Sequence, residues 1–234
     1  MTVQLSTWKN FAALAEEAAA ALDTAGPTGI VEWAVRTFGE RLCLTSSMSD
    51  SVLIDVATKV DPDIAVVFLD TGYHFPETLR TRDEVAARYR LDLTVLSPAQ
   101  SVPEQDVEFG PELHRRDPDL CCWRRKVEPL ERGLEPYHAW MSGIRRDETP
   151  ERANTAVVEW DANRMMVKVN PLANLTQADV DRYITENDIV RNPLLDRGYP
   201  SIGCAPCTRR VAPGEDPRSG RWAGTGKTEC GLHL

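Results

Sequence analysis

What the chain lacks narrows its identity before any motif is read. Its 234 residues contain no run approaching the roughly 18 apolar residues of a membrane-spanning helix. The opening MTVQLSTWKN has neither the charged start nor the unbroken apolar stretch of a secretory leader, so a cytoplasmic protein is expected. Basic residues are in deficit, 27 Lys and Arg against 36 Asp and Glu, for a net charge of −9. That balance repels phosphate backbones and anionic bilayers, which argues against nucleic-acid or membrane partners. There is no internal repeat, and no GxxxxGK[ST] loop to suggest a nucleoside triphosphatase. Six cysteines are too few for a disulfide scaffold. What is present, 42% hydrophobic and 27% charged residues, suffices for one sizeable core.

Hydrophobic periodicity predicts helices over residues 7–22 and 29–38, a short strand at 41–45, and a helix running to about residue 59. The continuous run IAVVFL at 64–69 has the composition of a strand buried on both faces. A helix follows Pro76 to about Tyr89, and 91–96 reads as a third strand. Strand and helix in alternation imply an α/β fold with a parallel sheet and right-handed crossovers. Further strands are predicted at 137–142, 157–160 and 165–169, and a well-capped helix at 176–187. Beyond residue 188, Pro, Gly and Arg dominate. The expected organisation is an α/β nucleotide-binding part over 1–200, with loops and a tail over 201–234 wrapped onto the same structural domain.

Ligands of open parallel sheets bind at the carboxyl ends of the strands. The turn after the first strand, LTSSMSDS, sets the hydroxyls of Ser46, Ser47, Ser49 and Ser51 where a helix begins. Such a place binds anions, or serves as an ordinary helix cap. The second strand ends in LDTG, where Gly72 allows close backbone approach to a flat ligand, or makes a plain turn.

The cysteines are unevenly placed: Cys43 alone, the pairs Cys121–Cys122 and Cys204-Ala-Pro-Cys207, and Cys230 near the end. Adjacent cysteines diverge and chelate one zinc poorly, but they reach different corners of a cluster. Two distant pairs therefore suit Cys₄ ligation of a 4Fe-4S cluster, with Cys₄ zinc as the rival. Basic residues concentrate beside these pairs. Arg115, Arg116, Arg124, Arg125 and Lys126 face only Asp117 and Asp119 around the first. Residues 201–234 hold five basic side chains against three acidic ones. Either these solvate the surface and balance a thiolate cluster, or they clamp a small phosphate or sulfate. Cys230 lies near Lys227 and His233 in sequence, where cations would favour its thiolate. Cys43, inside the first strand, reads as core.

From about residue 40 onward the chain resembles the assimilatory adenylyl-sulfate (APS) reductases, relatives of the PAPS reductases. The matching residues are TSSMSDSVLIDVA, FLDTGYHFPET, CCWRRKVEPL, WMSGIRRDE, GCAPCTRR, EDPRSGRW and KTECGLHL. The resemblance implies a Rossmann-type, adenine nucleotide alpha hydrolase-like domain with a mobile C-terminal tail. It implies that Cys121, Cys122, Cys204 and Cys207 ligate one 4Fe-4S cluster, and that Cys230 attacks the sulfur of APS, releasing AMP. Reduced thioredoxin would then release sulfite from the S-sulfonated cysteine, in sulfate assimilation and cysteine biosynthesis. Lys126, Arg218, Arg221 and Arg145 or Arg146 match positions holding the sulfate and phosphate. Ser46, Ser47 and Ser49 would lie at the phosphosulfate, with Leu69 and Gly72 near the adenosine. The serine-rich loop departs from the SGGxDS of pyrophosphatase relatives, as loss of pyrophosphate chemistry would require. Two alternatives stay open, reduction of PAPS and a zinc-stabilised nucleotide-binding module without redox activity. A homo-oligomer is also left open.

Overall fold

The apolar runs of the chain assemble into one six-stranded sheet. The computed structural model describes residues 2–225 and 227–232, with side chains from residue 10 onward. Two helices lead in, α1 (Thr2–Leu22) and α2 (Pro27–Phe38), the second opened by a proline whose missing N–H is harmless in a first turn. Then β1 (Leu42–Ser46), α3 (Val52–Val60), β2 (Ala65–Leu69), α4 (Pro76–Tyr89) and β3 (Leu93–Leu96) alternate. Four short helices follow: α5 (Val102–Phe109), α6 (Leu113–Arg116), α7 (Pro118–Cys122) and α8 (Glu128–Leu134). The chain continues through β4 (Ala139–Met141), β5 (Val158–Asp161), β6 (Met166–Val169) and α9 (Gln177–Glu186). The helix α9 is closed by a capping box between Thr176 and Asp179.

The strand order is β3-β2-β1-β4-β6-β5, parallel throughout except for β5, which pairs antiparallel with β6 at the edge. Alternation along the strands divides the core in two. Leu42, Leu44, Val66, Phe68 and Met141 belong to the larger cluster, with α2 and α3. Cys43, Val67, Trp140 and Met166 turn to the other face, against Leu130 and Leu134 of α8. Cys43 is fully buried there, and burial drives its thiol pKa far above the ordinary value. It is a core residue.

The α/β class read from the sequence is the one observed. The segment between residues 97 and 136 differs, because α5 to α8 were not legible there. Pro103, Gly110, Pro118 and Pro129 break it into pieces of 8, 4, 5 and 7 residues, too short for a helical period to show. The topology also locates a crevice. From β1 the chain builds outward through β2 and β3, then returns to place β4 on the opposite side of β1. Loops leaving β1 and β4 therefore diverge at the topological switch point, where α/β sheets bind ligands. Among the described residues, no helix is long and apolar enough to cross a membrane.

Candidate active site

The loop after β1 divides its side chains between support and site. Asp50 caps α3, its Oδ1 accepting from the Val52 amide at 3.0 Å. Ser51 is buried and donates to the Val190 carbonyl at 3.0 Å. Met48 adopts a left-handed φ of 57° and is fully buried, plugging the core beneath the turn. Ser46, Ser47 and Ser49, together with Asp50, line a cavity of about 580 Å³ above the sheet. The Ser47 and Ser49 hydroxyls lie 3.3 Å apart. Leu69 at the end of β2 borders the same cavity, as do Thr71 and His74. Burial holds the His74 imidazole below its ordinary pKa, and its Nε2 is bonded to the Leu69 carbonyl at 2.8 Å.

The C-terminal segment forms the opposite wall. Cys230 is half-buried and lines this cavity together with Lys126, Arg218 and Arg221. Arg145, buried after β4, lines it too, donating to Asp147 at 3.1 Å and to Gln177 at 2.6 Å. Arg218 pairs with Glu229 at 3.2 Å. The Arg221 guanidinium lies 4.4 Å from the Trp222 ring and donates to Ser201 Oγ at 3.1 Å. Burial first, and Arg218 second, lower the pKa of Arg221. Gly203 makes room for it, since a Cβ there would stand 2.3 Å from the guanidinium. Among the described residues, Lys126 and Arg221 are the lining cations that no carboxylate pairs.

A second, smaller cavity adjoins the first. Cys121, Cys122, Cys204 and Cys207 all line it, and Lys126, Cys204 and Trp222 belong to both cavities. A π turn, Trp123–Val127, follows the cysteine pair and buries Arg125 and Lys126, a widening often found at functional sites. All four thiols are free. Burial, then neighbouring sulfurs, push Cys121 up to about 12 and Cys207 up to about 11. The Thr71 hydroxyl lies 3.3 Å from the Cys204 sulfur. Among the described residues, no three His, Cys, Asp or Glu side chains gather closely enough for one metal ion. Soft thiols gathered in this way suit a thiolate-ligated metal centre. Burial works against the Lys126 ammonium, but the sulfurs of Cys204, Cys230 and Cys122 outweigh it and raise its pKa.

Other residues singled out by sequence lie elsewhere. Arg146 does not line the cavity: its guanidinium donates to Thr155 O at 2.7 Å, Asn174 at 2.6 Å and Asp23 at 2.8 Å, tying the β4 loop to the end of α1. Of the Arg145–Arg146 pair, only Arg145 faces the cavity. Gly72 is also outside it. Its φ of +71° and missing side chain serve Arg125, whose Nη2 would be 2.7 Å from a Cβ there. Arg125 donates to the Thr71 carbonyl at 2.5 Å and to Gln105 at 3.1 Å, so that side chain fills the space a Cβ at Gly72 would take. Lys227 pairs with Asp119 and is not among the lining residues. His233 lies outside the described residues. Sequence reading missed Arg152 and Glu229, whose pairing across the chain carries no local signal.

Comparison with known proteins agrees with this arrangement. A sequence model of the phosphoadenosine phosphosulfate reductase domain matches residues 41–210. The chain is 56% identical over 227 residues to the adenosine 5'-phosphosulfate reductase of Streptomyces coelicolor, covering 97% of this chain and 96% of that one. Identity to the adenosine 5'-phosphosulfate reductase of Mycolicibacterium smegmatis is 49% over 232 residues, 99% and 98% of the two chains. A phosphoadenosine 5'-phosphosulfate reductase of Gloeobacter violaceus is 52% identical over 212 residues, 88% of each. Among solved structures, the phosphate complex of phosphoadenylyl-sulfate reductase from Candida auris superposes with a TM-score of 0.74 at 31% identity, covering 84% of this chain and 96% of that one. The FMN adenylyltransferase of Candida glabrata, with TM-score 0.60 and 12% identity over 89% of this chain and 79% of that one, shares the fold alone. Matched over most of its length by the family model and by relatives of this similarity, the chain belongs to the phosphoadenosine phosphosulfate reductase family.

Proposed function

We propose that the protein reduces adenosine 5'-phosphosulfate to sulfite and AMP at the expense of reduced thioredoxin. The observation that carries this reading is that Cys230 shares one cavity with the serine loop and with Lys126 and Arg221. A thiolate approaching an anionic sulfur centre meets like-charge repulsion, and two cations beside it, without a carboxylate partner among the described residues, supply the compensation. In the first step the Cys230 sulfur bonds to the sulfate sulfur while the sulfur–oxygen bond to the phosphate breaks, and AMP leaves with that electron pair. The Ser46, Ser47 and Ser49 hydroxyls bind the phosphosulfate, with Arg218 and Arg145 further along the wall. Leu69 offers an apolar edge to the adenosine. In the second step a thiolate of reduced thioredoxin attacks Cys230 Sγ and expels sulfite, and its second thiol resolves the mixed disulfide. Both electrons come from the dithiol.

Cys121, Cys122, Cys204 and Cys207 would hold a 4Fe-4S cluster. When bound, that group supplies the positive charge that ionises the thiols and sets the field around Lys126. Lys126, in the wall between the two cavities, holds its ammonium toward the transferring sulfonate. Adjacent cysteines diverge and chelate one zinc poorly, so the pairing of Cys121–Cys122 with Cys204 and Cys207 favours a cluster over a single zinc. Use of APS rather than PAPS rests on the names of relatives such as those of Streptomyces and Mycolicibacterium. Mass spectrometry after incubation with APS tests the reading. A sulfonate-sized adduct on Cys230 supports it; turnover of PAPS in clear preference to APS, or an unmodified Cys230, overturns it.

A further inference from the structure

The catalytic cysteine sits on a segment with little secondary structure of its own, yet it lies inside the cavity. Something must hold it there. The neighbouring residue, Glu229, is the most deeply anchored charge in that segment. Arg152 grips its carboxylate with two parallel bonds, Nε to Oε1 and Nη2 to Oε2, both 2.9 Å. Arg218 adds a third contact at 3.2 Å. The Glu229 and Arg152 side chains are only 8% and 12% exposed, so solvent screens this pair weakly. Arg152 is itself fixed. It pairs with Glu148, and Glu148 accepts from the Arg145 amide at 3.1 Å, on the loop that follows β4. A further ion pair from the tail to the rest of the chain, Lys227 to Asp119, involves a carboxylate that is 84% exposed, and pairs of that kind contribute little.

We infer that Glu229 and Arg152 are positioning residues that latch the C-terminal segment to the β4 loop and so hold the Cys230 thiol in the cavity. The role rests on the proposed reaction, in which this thiol must first be held at the substrate sulfur and then be reached by a second protein. A bidentate ion pair gives orientation in the first step and, unlike a covalent or apolar anchor, opens without unfolding the core.

Native-state alkylation with iodoacetamide, without nucleotide, reads the latch directly, with buried Cys43 as internal control. Glu229→Gln and Arg152→Gln are expected to label Cys230 faster, on the order of tenfold, because each removes the bidentate charged bond that ties the segment to the β4 loop. Glu229→Asp, which keeps the charge, stays near the starting rate, and Cys43 remains unlabelled. With APS present, both Gln variants slow S-sulfonation of Cys230 by a similar factor. Sulfite release by reduced thioredoxin from the preformed adduct is not slowed. Unchanged labelling of Cys230, a parallel rise at Cys43, or S-sulfonation at the original rate overturns the inference. Because labelling uses no nucleotide, failure of the unaltered protein to form any adduct counts against the substrate assignment and leaves the latch result standing.

Discussion

The two cavities that meet at Lys126 handle charge in opposite ways. In the smaller one, four thiols line one space, and burial, then the neighbouring sulfurs, makes Cys121 and Cys207 harder to ionise. In the larger one, most cations already have carboxylate partners: Arg145 has Asp147, Arg152 has Glu148 and Glu229, Arg191 has Asp196 and Arg218 has Glu229. Among the described residues, Lys126 and Arg221 do not. One cavity therefore gathers thiols beside Arg125 and Lys126, and the other balances most of its cations with carboxylates. On the proposed function the first would hold a metal centre and the second a small anion, and the net charge of −9 hides both.

Several substitutions break or sharpen that contrast. The largest effect is expected from Cys230→Ser, whose hydroxyl is a far weaker nucleophile. It should remove both the adduct and sulfite production, measured by mass spectrometry and sulfite assay. Cys204→Ser comes next. It should lower bound iron and acid-labile sulfide together with activity, and a protein holding one zinc and no iron would refute the cluster. Lys126→Gln should reduce kcat/KM for APS on the order of 10²-fold while iron content stays unchanged, as befits a charge acting on the transition state. If the iron is lost as well, Lys126 belongs to the thiol cavity more than to the anion cavity. Gly203→Ala sets a Cβ 2.3 Å from the Arg221 guanidinium. Displacing that cation should reduce kcat/KM on the order of tenfold, with little change in iron. The smallest effect is expected from Arg146→Ala. Its hydrogen bonds tie loop to helix, so stability should fall by about 1 kcal/mol in urea titration while turnover is kept.

Much of the scaffold was legible because it follows from short-range pattern. The run at Ala65–Leu69 is continuously apolar, and a strand covered on both sides requires that. The α9 capping residues announce their helix within four positions. The helices between residues 97 and 136 were not legible, since each is too short for its apolar face to repeat. The two cysteine pairs were visible as motifs, but not the fact that Thr71 and Lys126 abut them. Gly72 shows the limit of local reading. Its need for space is real, but Arg125, 53 positions away in sequence, fills that space.

The chain by itself determined the alternation of strands and helices, the supply of thiols, hydroxyls and cations, and the family those motifs belong to. Such features are set by residue type and near spacing. Only the tertiary structure decided which of two adjacent arginines faces the cavity, that Lys126 belongs to two cavities, and that Glu229 meets Arg152, 77 positions away. The physical reason is that side-chain direction and charge pairing depend on what the rest of the chain brings opposite. Local sequence contains no record of that until the sheet has closed and the tail has docked against it.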